Sequence, residues 1–354
     1  MGTPLPLSTL PESLGRALGL DPADPLVGFG LALLSAAFVG TLLLVNAAVA
    51  GPWMKRKIAA SFWDKVGPNR HGPAGVLIIV ADAVRLLSKE LVVPEGVDRP
   101  AWDLAPLVVA GSALLGFAVI PMGNGLHLAD PEGGVVYVFA VASVASVGLV
   151  MAGYASGNKF SLLGGLRAVA TNLAYEIPLV LVGASAVLFA GTLRTSEVVA
   201  VQQAPLATVA GVTIPQWFAF VNPLAFALFL VANLAEVGRN PFDIAEAPTE
   251  IVAGYQTEYS GVYFVLLYLG EFLHIFLGGA IAATLFLGGP AGPVLPGVVW
   301  FFVKMWGVFM VTQWARSAVP RLRPDQVLGV GWKGLLVLSF LNLVVTALLL
   351  AFVV

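Results

Sequence analysis

Four carboxylates and one arginine fall within sixteen residues of an otherwise apolar region. The segment runs Ala235-Glu236-Val237-Gly238-Arg239-Asn240-Pro241-Phe242-Asp243-Ile244-Ala245-Glu246-Ala247-Pro248-Thr249-Glu250. It follows a stretch with almost no charge. Ionisable groups at membrane depth cost about 2.5–3.5 kcal/mol each on insertion scales, so they are candidates for function. Pro241 and Pro248 predict that the cluster lies at a helix end and in the loop after it. Further single groups interrupt apolar runs: Glu176, with Tyr175 beside it and Asn172 one turn earlier; Glu271, sharing a helical face with Tyr268 and His274; Lys304; and Asp82. A carboxyl in a low-dielectric site holds its proton to higher pH than one in water, and a proton relay requires that. The competing reading is a carboxylate neutralised by Arg239 or Lys304 that only orients helices. A lone His274 on an apolar helix reads first as a hydrogen-bonded core residue. Three histidines without a spaced pair make no case for a metal or haem site.

The elements that must carry these groups are membrane helices. The chain has 354 residues, 58% of them apolar and only 11% charged, and its mean hydropathy is +0.91. The apolar residues come in blocks long enough for the ~20 residues that cross a bilayer. Glycine (39) and proline (24) are abundant, as such helices tolerate. There is no cysteine, which excludes disulfides, cysteine-ligated iron–sulfur clusters and a thiol nucleophile in this chain. A net charge of −2 gives no sign of nucleic-acid binding. The N-terminus lacks the positive-then-apolar order of a cleaved signal peptide. The expected fold is all-α, a polytopic membrane protein and a single membrane domain over 1–354. Eight spans are predicted, at about 26–50, 104–122, 135–156, 168–191, 216–238, 261–287, 297–319 and 333–354. Residues 5–20, within an N-terminal interfacial segment 1–25, suggest a short interfacial helix. Loop 55–103 contains the apolar run 76–93, which carries Asp82, Arg85, Lys89 and Glu90. It reads as an amphipathic helix at the membrane surface or packed in the protein. A ninth span there would reverse every later loop. Residues 239–260 form the acidic loop.

Lys and Arg set the orientation. The loop after span 1 has Lys55, Arg56, Lys57, Lys65, Arg70, Arg85, Lys89 and Arg99. The loop after span 3 has Lys159 and Arg167, and the loop after span 5 has Arg239. The loop after span 7 has Arg316, Arg321, Arg323 and Lys333. These are 15 of the 18 cations, whereas the even-numbered loops hold only Arg194. The odd-numbered loops are therefore expected on the cytoplasmic side and both termini on the other.

Four motifs, in order along the chain, resemble one family. They are Gly67-Pro68-Asn69-Arg70-His71-Gly72-Pro73 with Ala81-Asp82-Ala83 and Lys89-Glu90; Ala155 to Gly164; the segment from Ala235 to Ser260, ending Gly254-Tyr255-Gln256-Thr257-Glu258-Tyr259-Ser260; and Arg321-Leu322-Arg323-Pro324-Asp325-Gln326. They are similar to signatures of the H subunit of respiratory complex I. That is the membrane heel subunit of proton-pumping NADH–quinone oxidoreductase, called chain 1 in mitochondria. The resemblance implies a translocase subunit with no complete catalytic centre of its own. It implies a quinone substrate, and iron–sulfur cluster and flavin only in partner subunits. The implied partners are hydrophilic quinone-module subunits with the terminal iron–sulfur cluster, small membrane subunits and antiporter-like subunits. The implied place is the inner or plasma membrane of a prokaryotic-type cell. Carried over by match, Arg56, Asp82, Arg239, Asp243 and Glu246 fall at cavity or loop positions. Asp82, Glu176, Glu236, Glu250 and Glu271 fall on an acidic proton path. The chain departs from the pattern at Lys55, where the family has Glu. It departs again at Ile78-Ile79 for Gln-Pro, at Ser143 for a Glu and at Pro248 for an acid. Relatives of this subunit also serve F420H2- or ferredoxin-linked dehydrogenases and membrane-bound hydrogenases. A reading from another class, a stand-alone antiporter or channel, leaves the broad charged loops without a role as docking surface.

The charge asymmetry yields a direct test of topology. Single cysteines placed at Arg194 and at Arg321 should label from opposite sides of sealed membranes, on a background with no native thiol. Labelling of both from one side would overturn the assignment.

Overall fold

Proline and glycine decide where these helices bend and stop. The computed structural model describes residues 9–353, apart from 124–125, 210–211 and 293–294. A short helix α1 (Leu10–Leu18) precedes the first span, with residues 5–8 of the expected interfacial helix outside the described residues. The first span is α2 (Pro25–Val45), continued by α3 (Gly51–Phe62). Pro52 would remove a helical hydrogen bond and crowd the preceding turn. A π-helical stretch over Asn46–Ala50 absorbs that defect, so the helix bends and goes on. Lys55, Arg56 and Lys57 are thus helical, and the loop expected from residue 55 begins after Phe62. Gly51 permits a close approach here, because a Cβ on it would lie 2.8 Å from the Phe272 ring.

The run at 76–93 forms α4 (Leu77–Leu87), whose eleven residues are too few to span. Then come α5 (Arg99–Gly116), α6 (Gly134–Ala155), the 32-residue α7 (Lys159–Ala190) and α8 (Thr195–Gln202). A small antiparallel hairpin follows, β1 (Pro205–Val209) with β2 (Val212–Pro215), pairing Thr208 with Thr213.

The expected fifth span at 216–238 is broken in the structure. It forms two helices, α9 (Phe218–Val221) and α10 (Pro223–Glu236). Pro223 disfavours helical geometry at the residue before it, and Asn222 sits at φ −132°, ψ 76°. The Asn222 side chain caps α10 by accepting from the Ala225 amide and donates to Asn342 (3.2 Å) and Thr346 (3.1 Å). At 14 residues, α10 is about 21 Å long, short of the ~30 Å apolar layer. The remaining helices are α11 (Gly261–Phe286), α12 (Gly297–Ala318), and α13 (Pro324–Gly329) joined through a π-helical stretch at Val330–Leu335 to α14 (Leu336–Val353). Among the described residues, seven helices, in place of the eight predicted, are long and apolar enough to cross a membrane. The protein is an all-α polytopic membrane protein.

Helix α11 is the hub. Every residue from Ile275 to Phe286 is buried, and α11 packs on α5 and α12. A helix apolar on all sides belongs inside a bundle. Helix α7 packs on α6, α10 and α14, whereas α2 and α14 lie at the rim with most of their apolar surface exposed. The 237–260 loop is packed down by Phe242, Ile244, Ile251, Tyr255 and Tyr259, all nearly buried. Tyr259 stacks on Trp102 at 4.8 Å and donates to its carbonyl.

The contact at Gly51 makes a stability prediction. Gly51→Val would push α3 off Phe272 and Phe276, at a cost of about 1–3 kcal/mol for overpacking. The purified protein should melt at a lower temperature, and an unchanged melting curve would refute the tight α3–α11 contact.

Candidate functional site

Gly238 ends α10 and turns the chain toward α11. Its φ is +65°, the Gly238 amide donates to Ala235 and the Arg239 amide to Leu234. This is a Schellman ending, so the stop comes three residues before Pro241. It also takes Arg239 off the helix. Arg239 therefore does not pair with Glu236 three residues back, as helical spacing allowed. Its Nη1 pairs at 2.5 Å with Glu271 on α11, and its guanidinium lies 5.5 Å from the Phe272 ring centre. Arg239 is 3% exposed, and its Nε and Nη2 have no hydrogen-bond partner among the described residues.

Around this pair the loop sets two more acids. Glu246 accepts from Gln256 Nε2 at 2.9 Å. The neighbouring Glu271 carboxylate and burial push its carboxyl up to about 7. Burial raises Asp243 as well, against the pull of Arg239, and its Oδ1 is unpartnered among the described residues. Burial, with Glu246 close by, drives the Tyr255 hydroxyl well above its ordinary range. Two cations that were not among the expected site residues join the cluster. Lys55 reaches Tyr268 Oη at 3.4 Å and sits 5.2 Å from the ring centres of Tyr268 and Phe272. Arg316, in the last turn of α12, interacts with Glu271 and Glu246. Its signal was available: Thr312 and Gln313, one turn earlier on the same face, are polar and buried.

A small cavity, with about 40 Å³ of water-accessible space, borders this cluster. Glu246, Glu271, Tyr255, Asn172, Thr171 and Glu236 supply its polar lining, and Leu149, Phe242 and Ala245 part of the rest. Glu236 has Oε2 unpartnered among the described residues and is close enough to Glu176 for charge–charge repulsion. Glu176 accepts from the Ser143 hydroxyl, and Asn172 donates to Ser146 at 2.8 Å. Glu246, Glu271 and Glu236 thus line one cavity, with Arg239 paired to Glu271 on one side and Glu176 near Glu236.

The other candidates lie apart from it. Asp82 pairs with Arg56 at 2.6 Å and Arg85 at 3.0 Å, pinning α4 to α3 beside the cluster. Glu250 is on the outer face of the loop, held by Arg167 (2.7 Å) and Arg321. The Arg167 hydrogen bond keeps its carboxyl below the usual range, and it does not reach the cavity. His274 has the bland role: its ring bonds the Gly270 carbonyl (2.9 Å) and Ser112 (3.4 Å). Lys304 neutralises no carboxylate, because its ammonium donates to the carbonyls of Leu287, Gly289 and Ala291 at 2.5–2.8 Å. No cluster of three metal-ligating side chains occurs among the described residues.

The structure is thus a multi-span membrane bundle with acids and guanidinium groups gathered beside one cavity. Comparison with known proteins gives the family. Residues 34–347 match the family model described as NADH dehydrogenase. The chain is 45% identical over 295 residues to the H subunit of NADH-quinone oxidoreductase from Dehalococcoides mccartyi (strain CBDB1), covering 83% of this chain and 80% of that one. It is 43% identical over 305 residues to its counterpart from Thermomicrobium roseum, covering 84% and 89%. It is also 43% identical over 317 residues to the H subunit numbered 2 of the enzyme from Cereibacter sphaeroides (strain ATCC 17029 / ATH 2.4.9), covering 89% and 96%. The chain belongs to this family, the H subunits of NADH-quinone oxidoreductase.

Glu246 gives the site a pH signature. Its carboxyl titrates near 7 when folded and near 4.5 when exposed. The folded state therefore binds the extra proton, and stability falls as pH rises through that window. Glu246→Gln removes the titration and leaves a hydrogen-bond acceptor for Gln256. It should match the wild type near pH 5 and melt progressively higher than it towards pH 8. Parallel melting curves at all pH values would contradict the buried, repelled carboxylate.

Proposed function

We propose that this chain is the membrane subunit of a quinone-reducing, proton-translocating complex. It forms part of the quinone cavity and the acidic path that couples quinone reduction to proton movement. The observation that carries the reading is the Arg239–Glu271 pair, with Asp243 near it, beside a cavity lined by Glu271, Glu246 and Glu236. Two guanidinium donors of Arg239 are buried and unpartnered among the described residues, a costly state that a polar headgroup or ordered water relieves. The reaction needs two electrons and two protons per quinone, giving the quinol. The electrons come from an iron–sulfur cluster of a hydrophilic partner docked on the cytoplasmic, odd-numbered loops. This chain supplies the protein-side charges and the route for protons. Asp82 and Arg56 fix α4 on the loop side beside Arg239 and its cluster. Glu271, Glu236 and Glu176 lead inward, toward the membrane partners of antiporter type. Glu250, clasped by two arginines, orders the docking loop.

Glu236→Gln tests the path. Glutamine keeps the shape and some hydrogen bonding but cannot exchange a proton at accessible pH. The complex should assemble and reduce quinone, while proton uptake into sealed vesicles falls at least tenfold at matched complex content. Wild-type proton uptake in this variant would sink the relay role of Glu236.

A further inference from the structure

Three cations border the acidic cluster, and they are not alike. Arg239 and Arg316 carry guanidinium groups, which stay protonated at any accessible pH. Lys55 carries an amine, the one group of the three that can give its proton away and take it back. Its placement is built into the helix. Gly51 brings α3 against Phe272, and Lys55 lies one turn further on the same face. Its Nζ is set over the rings of Tyr268 and Phe272, with the Tyr268 hydroxyl as its hydrogen-bond partner at 3.4 Å. It makes no ion pair within 4 Å among the described residues. Glu271 and Glu246 attract it, and Arg239 and Arg316 repel it. The next residue, Arg56, turns away to Asp82, and Lys55 itself keeps partial exposure to the loop side.

We propose that Lys55 is a proton-transfer group that loads the Glu271–Glu246 carboxylates from water on the loop side. The inference rests on the coupling role proposed above for the same cluster. In the step, the Lys55 ammonium gives one proton to a carboxylate, leaving a neutral amine and a neutral carboxyl. The total charge of the cluster is unchanged. The amine then takes a proton from water, and the site has gained one positive charge to match an electron arriving on the quinone. The two guanidinium groups favour the neutral amine and the two carboxylates favour the ammonium. Both forms are therefore supported by charges already in place. A purely structural cation would need neither the repelling arginines nor so loose a hydrogen bond.

The test uses the intact complex in sealed vesicles with Lys55→Arg and Lys55→Gln. Arginine keeps the charge and stacks on the same two rings but does not release its proton; glutamine keeps neither. At matched content of assembled complex, both variants should lose at least tenfold in coupled turnover. The limb of the wild-type pH–rate profile that depends on Lys55 should be missing from both. Lys55→Arg with the wild-type rate and pH profile would overturn the proposal. So would activity lost only in proportion to assembled complex, which marks a packing role. The Glu236→Gln experiment stays separate: normal pumping there retires the cavity path, whereas a wild-type Lys55→Arg retires only the role of Lys55.

Discussion

Arg239 is a charge that cannot leave. It is 3% exposed and cannot be deprotonated, so the fold must keep a carboxylate against it, and Glu271 fills that need at 2.5 Å. Removing one partner of a buried pair typically costs about 3–5 kcal/mol, because the other is left uncompensated. The pair therefore ties the 237–260 loop to α11, and the positions of its neighbours follow. Glu246 and Asp243 arrive on the same loop and meet a carboxylate already committed. One guanidinium and three acids cannot all be ionised without cost. The nearby cations Lys55 and Arg316 make the cluster nearly balanced.

The scaffold around this pair is correspondingly rigid where it touches it and loose elsewhere. Helix α11 is buried through its second half and presents Tyr268, Glu271 and Phe272 as one ridge. The loop is fastened at several points: Ser161 donates to the Tyr255 carbonyl, Asn158 to Glu258, and Tyr259 stacks on Trp102. The Leu322 amide donates to the Pro241 carbonyl, so the chain after α12 closes over the other side. None of these contacts carries charge into the cavity. They hold backbone, and they leave the ionisable side chains to settle among themselves.

Much of this was legible in the residues, and what was not has physical causes. Long apolar runs made seven spans readable, because nothing but a membrane helix accommodates them. The eighth fell short at Asn222, where Pro223 imposes a break that hydropathy averages over. The acids Glu176, Glu236 and Glu271 stood out as charges in apolar sequence. Their grouping did not: Glu271 is 32 positions from Arg239, and only the turn at Gly238 decides that the two meet. Lys55 stood out only as a departure, a cation where the resemblance implied Glu, and the bend at Asn46–Ala50 is what carries it inward. Glu250 erred in the other direction. Its motif is shared with buried acids, but its two arginine partners lie far away in sequence, at Arg167 and Arg321, and hold it outside.

The line of acids divides into two kinds, and the division suggests how charge would pass along it. Glu271 is locked to a guanidinium, and its value lies in where it holds Arg239. Glu236 and Glu176 have no cation against them among the described residues; they face each other, with Ser143 and Asn172 as hydroxyl and amide neighbours. Like charges this close repel, so what happens to either is felt by the other. Ser143 hydrogen-bonds Glu176 but stores no proton of its own, since a hydroxyl can only hand on what it receives. Under the coupling role proposed for this cluster, the shared cavity is where a change at Glu271 and Glu246 would meet Glu236.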